Sequence, residues 1–267
     1  MNVSVYDQLK KRLKITDAYE KWHKYRENIT ELIIGFTEQG SSLLIVGAGD
    51  CNDYDVNILA DHFSNITLLD REDVDSYQNR YAKSSVVTRV QADLVGISDD
   101  CYRRFSEFVF NSILRYDADE LIVNEIKRIY NRARPLFIDE RYDYIVSFGV
   151  HSQLNIMLYW ICETYYSNIG KDLSVVKSVI MSETNKLVRN VDDFLIAVAK
   201  RGIIIGNEEK KYGDGTPIEG ACQCINDILS RYSEGQLRNL RVGYTDWPFD
   251  PDRNILYEMK ILISDVI

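Results

Sequence analysis

Apolar side chains recur at helical spacing near the start of the chain. Over residues 5–38 they fall three or four positions apart, at Trp22 and Tyr25 among others, which predicts helices. Gly40 and the serines that follow it end this pattern. We therefore predict an N-terminal helical extension over residues 1–40. Two roles stay open for it: packing as a cap on the domain, or acting as a lid over a site.

Short apolar runs follow, and they alternate with stretches of helical periodicity. The runs predict buried strands at residues 42–46, 66–69, 86–90, 142–148 and 202–206. Helices are predicted at residues 52–63, 105–114, 120–134, 153–167, 173–201 and 219–233. Strands that alternate with helices indicate βαβ units and a parallel sheet.

The end of the chain has a different pattern. Residues 240–244 and 255–263 are strand-like, and a turn-rich segment at residues 246–251 joins them without a helix. Two strands with a short connection pair antiparallel. The predicted fold is therefore α/β, with a Rossmann-like, mostly parallel seven-stranded sheet and an antiparallel C-terminal strand pair, in one domain over residues 41–267.

The net charge of −9 narrows the choice of partners. Such a charge repels a phosphate backbone, so nucleic acid is disfavoured as a partner. The basic stretch at residues 10–14 is interpreted as a solvated helix face. We predict a cytoplasmic protein without a membrane partner, because the chain shows neither the apolar core of a signal peptide nor an apolar run long enough to span a bilayer. The oligomeric state is left open.

The remaining titratable residues predict no metal centre. The five cysteines are odd in number and lack CxxC spacing, so we interpret them as reduced thiols. Cys222 and Cys224 lie two positions apart in a predicted helix, which directs them to different faces. Glu208 and Glu209, followed by two lysines, are interpreted as a solvated turn after the fifth strand. No convergent carboxylate set for magnesium can be assembled.

Three successive predicted strands end in glycine or aspartate, at the edge where open α/β sheets bind ligands. The first strand leads into Gly47 and Gly49, the second ends at Asp70, and the third is followed by Asp93. Glycine lets the backbone turn tightly and approach a ligand closely. A carboxylate at Asp70 can accept the hydroxyl hydrogens of a ribose, and one at Asp93 can accept from the exocyclic amine of adenine. The sequence therefore predicts a nucleoside-binding site.

The charge around the glycine turn separates two classes of nucleoside cofactor. A dinucleotide fingerprint needs glycine or alanine three residues after Gly49, where Asn52 stands. Asp50 and Asp53 would also repel a pyrophosphate. S-adenosylmethionine carries a sulfonium and an ammonium instead, and carboxylate and carbonyl groups suit these cations. This charge pattern favours S-adenosylmethionine over NAD(P).

The segment VGAGDCND at residues 46–53, the LLD and QAD strand ends, and FGVHSQ after the fourth strand resemble class I S-adenosylmethionine-dependent methyltransferases. The resemblance spans about residues 41–263 and implies methyl transfer from S-adenosylmethionine. The glycine segment departs from the commonest form of the family, with Ile45 in place of an acidic residue and Cys51 in place of a third glycine. It is similar to a variant in poorly characterised bacterial members, which leaves the acceptor undefined.

The resemblance also implies where the cofactor would contact the chain. Asp70 would hold the ribose hydroxyls and Arg71 would flank the adenine, while the backbone near Gly149 would close the methionine end. Asp53 would either hold the ammonium or serve as a first-turn helix residue. The implied cofactor-binding set is Gly47, Ala48, Gly49, Asp53, Asp70, Arg71, Ala92, Asp93, Leu94, Gly149 and Val150.

His151 is the candidate catalytic residue, because it follows the fourth strand beside the predicted methyl group. It would act as a general base if the acceptor must lose a proton, or else shape the pocket through hydrogen bonds. Ser152 and Gln153 would orient the acceptor, for which we predict a small molecule because the acidic chain gives no reason to expect a polyanion. Two alternatives stay open: an NAD(P)-dependent Rossmann oxidoreductase and a non-catalytic S-adenosylmethionine-binding module.

Overall fold

The computed structural model describes residues 4–72, 85–135, 138–213 and 215–267. Within them, a seven-stranded sheet has the strand order β3-β2-β1-β4-β5-β7-β6. The strands are β1 (Ser42–Val46), β2 (Asn65–Asp70), β3 (Val87–Gln91), β4 (Tyr142–Phe148), β5 (Ala199–Lys211), β6 (Leu237–Asp250) and β7 (Ile255–Val266). Neighbours from β3 to β5 pair in parallel, whereas β7 is antiparallel to both β5 and β6. The predicted sheet and its antiparallel C-terminal pair are confirmed.

The predicted helices are confirmed in position, with limits that shift by a few residues. They are α1 (Val5–Lys10), α2 (Ala18–Lys21), α3 (His23–Phe36), α4 (Val56–His62), α5 (Asp99–Ser112), α6 (Ala118–Arg132), α7 (Ile156–Asn168), α8 (Ser174–Val198) and α9 (Ala221–Ser233). The segment predicted as helical over residues 5–38 is interrupted by extended backbone at Lys14 and left-handed backbone at Asp17. None of the helices in the described ranges has the length and apolar composition needed to cross a membrane.

Helices cover both faces of the sheet and create three apolar clusters. Helices α3 and α4 pack on one face, and α8 and α9 pack on the other. A third cluster lies among α1, α5, α6 and α7. Because β1 and β2 are covered on both faces, their apolar residues run continuously instead of alternating with polar ones.

The N-terminal helices pack in two different places. Tyr6 and Leu9 of α1 are buried in the third cluster, whereas Tyr25 and Ile29 of α3 are buried in the first. Helix α3 therefore covers the sheet near the carboxyl end of β1, and α1 does not. The domain boundary at residue 40 stays a prediction.

The C-terminal hairpin corrects one sequence-based expectation. Residues 246–251 were expected to form the turn, but β6 continues to Asp250 and the turn is the short 3₁₀ helix Pro251–Arg253. Pro248 is tolerated because β6 lies at the edge of the sheet, where a strand residue without an N–H loses no partner. The register also shifts between Trp247 and Asp250. The longer strand carries Trp247 to the buried side of the sheet.

Candidate functional site

The turn after β1 brings the ends of three strands together. Gly47 has a φ of 70° and donates its N–H to the carbonyl oxygen of Leu69 at 2.9 Å. A Cβ at Gly47 would lie 2.3 Å from Val150 Cγ2, so the turn contacts the residues after β4 too closely for a side chain. Cys51, which departs from the commonest family form, has a φ of 53°. This position keeps the left-handed backbone that favours glycine, although cysteine occupies it.

Asp70 links the end of β2 to this turn. Its Oδ2 accepts a hydrogen bond from the N–H of Gly49 at 2.8 Å, and its Oδ1 accepts from the N–H of Glu72 at 2.9 Å. Burial raises the pKa of Asp70, against the effect of these backbone hydrogen bonds. A carboxylate has about four lone-pair sites, so two neighbouring hydroxyls can still be accepted. The structure therefore brings the predicted residues Gly49 and Asp70 into contact.

Arg71 and Asp93 lie on the wall of one cavity, which we call the β2–β3 cavity. Arg71 Nε lies 3.5 Å from Asp93 Oδ2, and Arg71 Nη2 donates to the carbonyl oxygen of Ile97 at 3.0 Å. The other oxygen of Asp93 accepts from the N–H of Val95 at 2.9 Å. The cavity has a volume of about 460 Å³ and is lined by Arg71, Glu72, Gln91, Ala92, Asp93, Ser98 and Asp99. This volume is within the range of small-molecule sites.

The side chains of Leu94 and Val150 lie in the core, while the backbone contact predicted for Val150 stays a prediction. Both pack against the apolar cluster that α8 and α9 form with the sheet. Leu94 is buried there and is not among the residues that line the β2–β3 cavity. An adenine contact through the Leu94 side chain therefore has no support in this geometry, while Ala92 does line the cavity.

Four polar groups converge at the ends of β4 and β5, and we call them the Tyr25 cluster: Tyr25, Asp53, Glu208 and Trp247. Burial raises the pKa of Asp53 to about 7, the charge of Glu208 contributes to this rise, and Arg26 opposes both effects. Burial also raises the pKa of Glu208. The pKa of Tyr25 is raised by burial and then by the charges of Asp53 and Glu208. The charges of Asp53 and Glu208 therefore both act on the Tyr25 cluster.

The Tyr25 cluster contains buried polar atoms that lack hydrogen-bond partners among the described residues. They are Tyr25 Oη, Glu208 Oε2 and Trp247 Nε1. Glu208 Oε1, in contrast, accepts from Ser152 Oγ at 2.8 Å. A Cβ at Gly149 would lie 3.5 Å from Trp247 Cη2 and 3.7 Å from Glu208 Oε1, so Trp247 and Glu208 both lie next to Gly149. Buried groups of this kind are costly unless a ligand or water satisfies them.

Aromatic side chains cover the Tyr25 cluster from the N-terminal segment and β6. The rings of Tyr25 and Trp247 are stacked with centroids 6.0 Å apart, and Trp22 meets Trp247 edge-on at 5.1 Å. Trp22 Nε1 donates to the carbonyl oxygen of Phe249 at 3.2 Å. Because the same segment fills the core and covers polar groups at the strand ends, its packing agrees with both roles left open by the sequence.

The side chain of His151 points away from the Tyr25 cluster, into the core on the side of α8 and α9. It is fully buried, with Nδ1 3.1 Å from Asn207 Oδ1 and Nε2 3.1 Å from Asp192 Oδ1. The Sγ of Cys224 donates to the same Asp192 oxygen at 3.2 Å. This geometry gives no support to His151 as a general base and favours the alternative, a histidine that fixes the shape of the pocket.

Glu208 is the residue that the sequence interpretation missed. It was taken for part of a solvated turn, but β5 extends to Lys211 and Glu208 is 5% exposed. The correction follows from the strand's length: Glu208 is near the carboxyl end of a parallel strand, where Asp70 and Asp93 also lie. Its neighbour Glu209 does face solvent in part and pairs with Lys260 at 2.9 Å. Residues 202–208 of β5 are buried without alternation, so no local pattern separated Glu208 from the charged residues that follow it.

Gln153 and Ser152 lie beside Gly149, where the sequence placed them. Gln153 Nε2 donates to the carbonyl oxygen of Gly149 at 2.9 Å, and Ser152 Oγ donates to Glu208 Oε1. Their predicted role in orienting an acceptor stays a prediction.

Comparisons with known proteins find likeness only at the level of structure. No family model matches the chain, and no curated protein matches it. The magnesium protoporphyrin IX methyltransferase of Synechocystis PCC 6803, with bound SAH, aligns over 95% of this chain and 89% of its own, with 12% identity and a TM-score of 0.50. The N-methyltransferase NodS of Bradyrhizobium japonicum WM9 aligns over 94% and 98%, with 10% identity and a TM-score of 0.46. A putative RNA methyltransferase of Pyrococcus horikoshii aligns over 90% and 82%, with 6% identity and a TM-score of 0.45.

The chain has the Rossmann-like fold of the class I S-adenosylmethionine-dependent methyltransferases. Within that class, the chain shares its fold with the Synechocystis enzyme over nearly the whole length of both proteins. At 12% identity this likeness defines the fold alone. The residues of the site are therefore what bears on the acceptor.

Proposed function

We propose that this protein transfers a methyl group from S-adenosylmethionine to a small-molecule acceptor. The observation that carries the proposal is the pair of acidic groups in the Tyr25 cluster. Glu208 is buried with its Oε2 unpartnered among the described residues, and burial raises its pKa. Burial and then the charge of Glu208 raise the pKa of Asp53, and Arg26 offsets only part of this rise. A cation bound between them would relieve their repulsion, and the cofactor brings two positive charges.

The strand ends offer a continuous set of contacts for such a cofactor. Asp93 and Ala92 would receive the adenine in the β2–β3 cavity, and Asp70 would accept the ribose hydroxyls. The left-handed turn at Gly47 and Gly49 leaves backbone next to Asp70 without side chains in the way. Arg71 lies on the same cavity wall, held by acidic neighbours, and would flank the adenine.

The Tyr25 cluster would receive the charged end of the cofactor. Asp53 would accept from the ammonium, and Glu208 would face the sulfonium across Gly149. When bound, the cofactor supplies an electrophilic methyl group that an acceptor attacks in line. The chain's own contribution is to hold the two reactants close and aligned, to exclude water beneath Trp22 and Trp247, and to place negative charge beside a cation.

The enclosure of the Tyr25 cluster supports a small acceptor. Tyr25, Glu208 and Trp247 are each less than one-tenth exposed, and aromatic rings from two segments lie over them. A polymer would have to enter past these rings. The net charge of −9 also opposes a nucleic-acid acceptor.

Calorimetric titration with S-adenosylmethionine and S-adenosylhomocysteine tests the proposal directly. We expect both to bind, with S-adenosylmethionine favoured because its sulfonium lies beside Glu208. The same protein titrated with NADH, followed by fluorescence, provides the control. A clear NADH signal, or no binding of either adenosyl compound at millimolar concentration, would contradict the proposal.

Transfer itself is tested with S-adenosylmethionine labelled in the methyl group. We expect label to appear in a low-molecular-weight fraction of a cell extract and not in RNA added at equal mass. Label in RNA would contradict the small-molecule acceptor, and cofactor binding without any transfer would support the non-catalytic alternative.

A further inference from the structure

Three metal-ligating side chains meet in the core behind the Tyr25 cluster. His151, Asp192 and Cys224 each offer one donor atom, and these atoms all lie within 4.8 Å of one another. All three residues are buried, with at most 1% of each exposed. They come from the turn after β4, from α8 and from the first turn of α9, so they join three separate elements.

Hydrogen bonds within the group leave part of it unsatisfied. Asp192 Oδ2 has no partner among the described residues, and His151 Nε2 is not aligned for a hydrogen bond although it lies 3.1 Å from Asp192 Oδ1. In the described part of the chain, the basic side chain within ion-pair distance of the buried Asp192 is His151. Burial without full pairing is costly for a carboxylate.

Asn207 offers an oxygen that can accept a hydrogen bond from the ring nitrogen of His151 that would not bind the metal. Its Oδ1 lies 3.1 Å from His151 Nδ1, which fixes the tautomer with hydrogen on Nδ1 if that nitrogen donates. The lone pair of Nε2 then points toward Asp192 and Cys224. Metal-ligating histidines almost always donate their second N–H to an oxygen in this way.

The spacing and the chemistry of the donors agree with one class of ion. Zinc–ligand bonds of about 2.0–2.3 Å in tetrahedral geometry separate neighbouring ligand atoms by roughly 3.3–3.7 Å. The observed separations are 3.1 Å from Nε2 to Oδ1 and 3.2 Å from Sγ to Oδ1, close to these values, and the third pair of donor atoms lies within 4.8 Å. One thiolate and one carboxylate would also balance the charge of a divalent ion.

The geometry points to a buried binding site for Zn²⁺ or a similar borderline divalent transition metal, held by His151 Nε2, Asp192 Oδ1 and Cys224 Sγ. A mixed nitrogen, oxygen and sulfur set suits these ions and not Mg²⁺ or Ca²⁺. Binding displaces the thiol proton of Cys224, and the fourth position is left to a water or to Asp192 Oδ2. The site candidate is independent of the proposed methyl transfer.

Such an ion would fix the loop that carries the polar groups of the proposed active site. Ser152 and Glu208 are the sequence neighbours of His151 and Asn207, and they are hydrogen-bonded to each other. A metal-bound His151 would therefore set the positions of the turn after β4 and of the end of β5. The expected role is structural, because none of the three donors has an exposed surface.

Metal content and Co²⁺ spectroscopy on the full chain test the site. Protein purified without chelators should contain about one Zn²⁺ per chain by elemental analysis, and the chelator-treated protein should bind Co²⁺ with the intense visible bands and the sulfur charge-transfer band of a tetrahedral thiolate site. Cys224→Ser should lose the charge-transfer band. Asn207→Ala should weaken Co²⁺ binding by about 10–100-fold.

The control is Cys162→Ser, since Cys162 is an equally buried thiol in the third apolar cluster, away from the three proposed ligands. It should leave metal content and spectrum unchanged. Failure of the wild-type protein to bind Co²⁺ or Zn²⁺, or an unchanged spectrum in Cys224→Ser, would overturn the proposal. The wild-type measurement tests the metal site even if a variant fails to fold. Titration of the same protein with S-adenosylhomocysteine tests the proposed function separately, so failure of one proposal can be told from failure of the other.

Discussion

The β2–β3 cavity and the Tyr25 cluster, which form the two ends of the proposed cofactor site, differ in how far the chain satisfies its own polar groups. In the β2–β3 cavity, Arg71 is paired with Asp93 and Asp99, and both oxygens of Asp93 have partners. In the Tyr25 cluster, Glu208 Oε2 and the hydroxyl of Tyr25 are buried without hydrogen-bond partners among the described residues. The β2–β3 cavity is an open pocket whose polar groups are paired. The Tyr25 cluster is enclosed and holds carboxyl groups without a full set of partners.

This difference indicates which end determines the ligand. A cavity with satisfied polar groups provides shape and can accept any nucleoside that fits. A closed cluster of acidic groups gains most from a cation, because the bound charge removes a repulsion that the protein otherwise retains. Substitutions at each end therefore separate the two contributions.

The first prediction concerns Asp70, which lies between the two ends. Asp70→Ala should raise the Kd of S-adenosylhomocysteine on the order of 100-fold, since two hydrogen bonds to a charged acceptor are lost. Calorimetry measures this, and circular dichroism checks the fold. Asp143→Ala is the matched control, because Asp143 is a half-buried aspartate that holds Ser42 at the opposite end of β1. Equal affinity of Asp70→Ala and the wild type would mean that the ribose lies elsewhere.

The second prediction tests whether the glycine turn must touch the residues after β4. Gly47→Ala should lower the free energy of unfolding by about 1–3 kcal/mol through overpacking against Val150. Val150→Ala in the same chain should restore part of it, because Val150 Cγ2 is the atom that a Cβ would meet at 2.3 Å. Urea denaturation measures both.

Gly49→Ala is the contrast for this pair. A Cβ there would meet only the carbonyl oxygen of Gly47, at an ordinary contact distance of 3.9 Å, so the left-handed backbone, with a φ of 46°, is what opposes it. Its destabilisation should be smaller than that of Gly47→Ala. If Val150→Ala restored nothing, the close approach of the turn to β4 would not be the cause.

The third prediction tests the acidic end. Glu208→Gln should reduce the preference for S-adenosylmethionine over S-adenosylhomocysteine by about tenfold, because the two compounds differ by the positive charge on sulfur and a neutral amide lacks the opposing charge of the carboxylate. Competitive calorimetry with both ligands measures the ratio. Glu209→Gln is the control, as its carboxylate pairs with Lys260 outside the cluster. A similar loss in both variants would show that the effect is long-range.

The sequence could place the strand-end residues at one edge of the sheet because the carboxyl ends of parallel strands lie there whatever the helices do. Their role as cofactor contacts stays a prediction. Gly49 and Asp70 meet as expected, and Asp93 and Arg71 share a cavity. Side-chain direction was the part it could not supply. His151 begins a short 3₁₀ turn that sends its ring into the core, toward partners on α8 and α9 that are distant in sequence.

The roles proposed for Glu208 and Cys224 were not predicted, for a related reason. The end of β5 was placed too early because charged residues follow the isoleucines, and so a buried carboxylate was taken for a solvated one. Cys222 and Cys224 lie on different faces of α9 as predicted, since Cys224 is buried and Cys222 is half-buried. The position of Cys224 in the sequence, however, gives no sign of its contact with Asp192. Contacts between helices depend on packing angles that local patterns do not encode.

The last prediction concerns pH and has the smallest effect. The pKa of Asp53 is raised to about 7, above its ordinary value of 3.8, so the folded protein holds a proton that the unfolded chain releases. Stability of the ligand-free protein should therefore fall as pH rises from about 4 through 7. The affinity for S-adenosylmethionine should rise over the upper part of that range, because the ionised carboxylate binds the ammonium better.

Thermal melts and calorimetry between about pH 5.5 and 8 measure the two opposite slopes. Asp53→Asn should reduce both without abolishing them, since burial also raises the pKa of Asp70 and Glu208. Asp55→Asn is a suitable control, because Asp55 caps α4 through the N–H groups of Asn57 and Ile58 and lies outside the Tyr25 cluster. If affinity for S-adenosylmethionine fell with rising pH, the Tyr25 cluster would not be a cation site. The proposed difference between the Tyr25 cluster and the β2–β3 cavity would then be wrong.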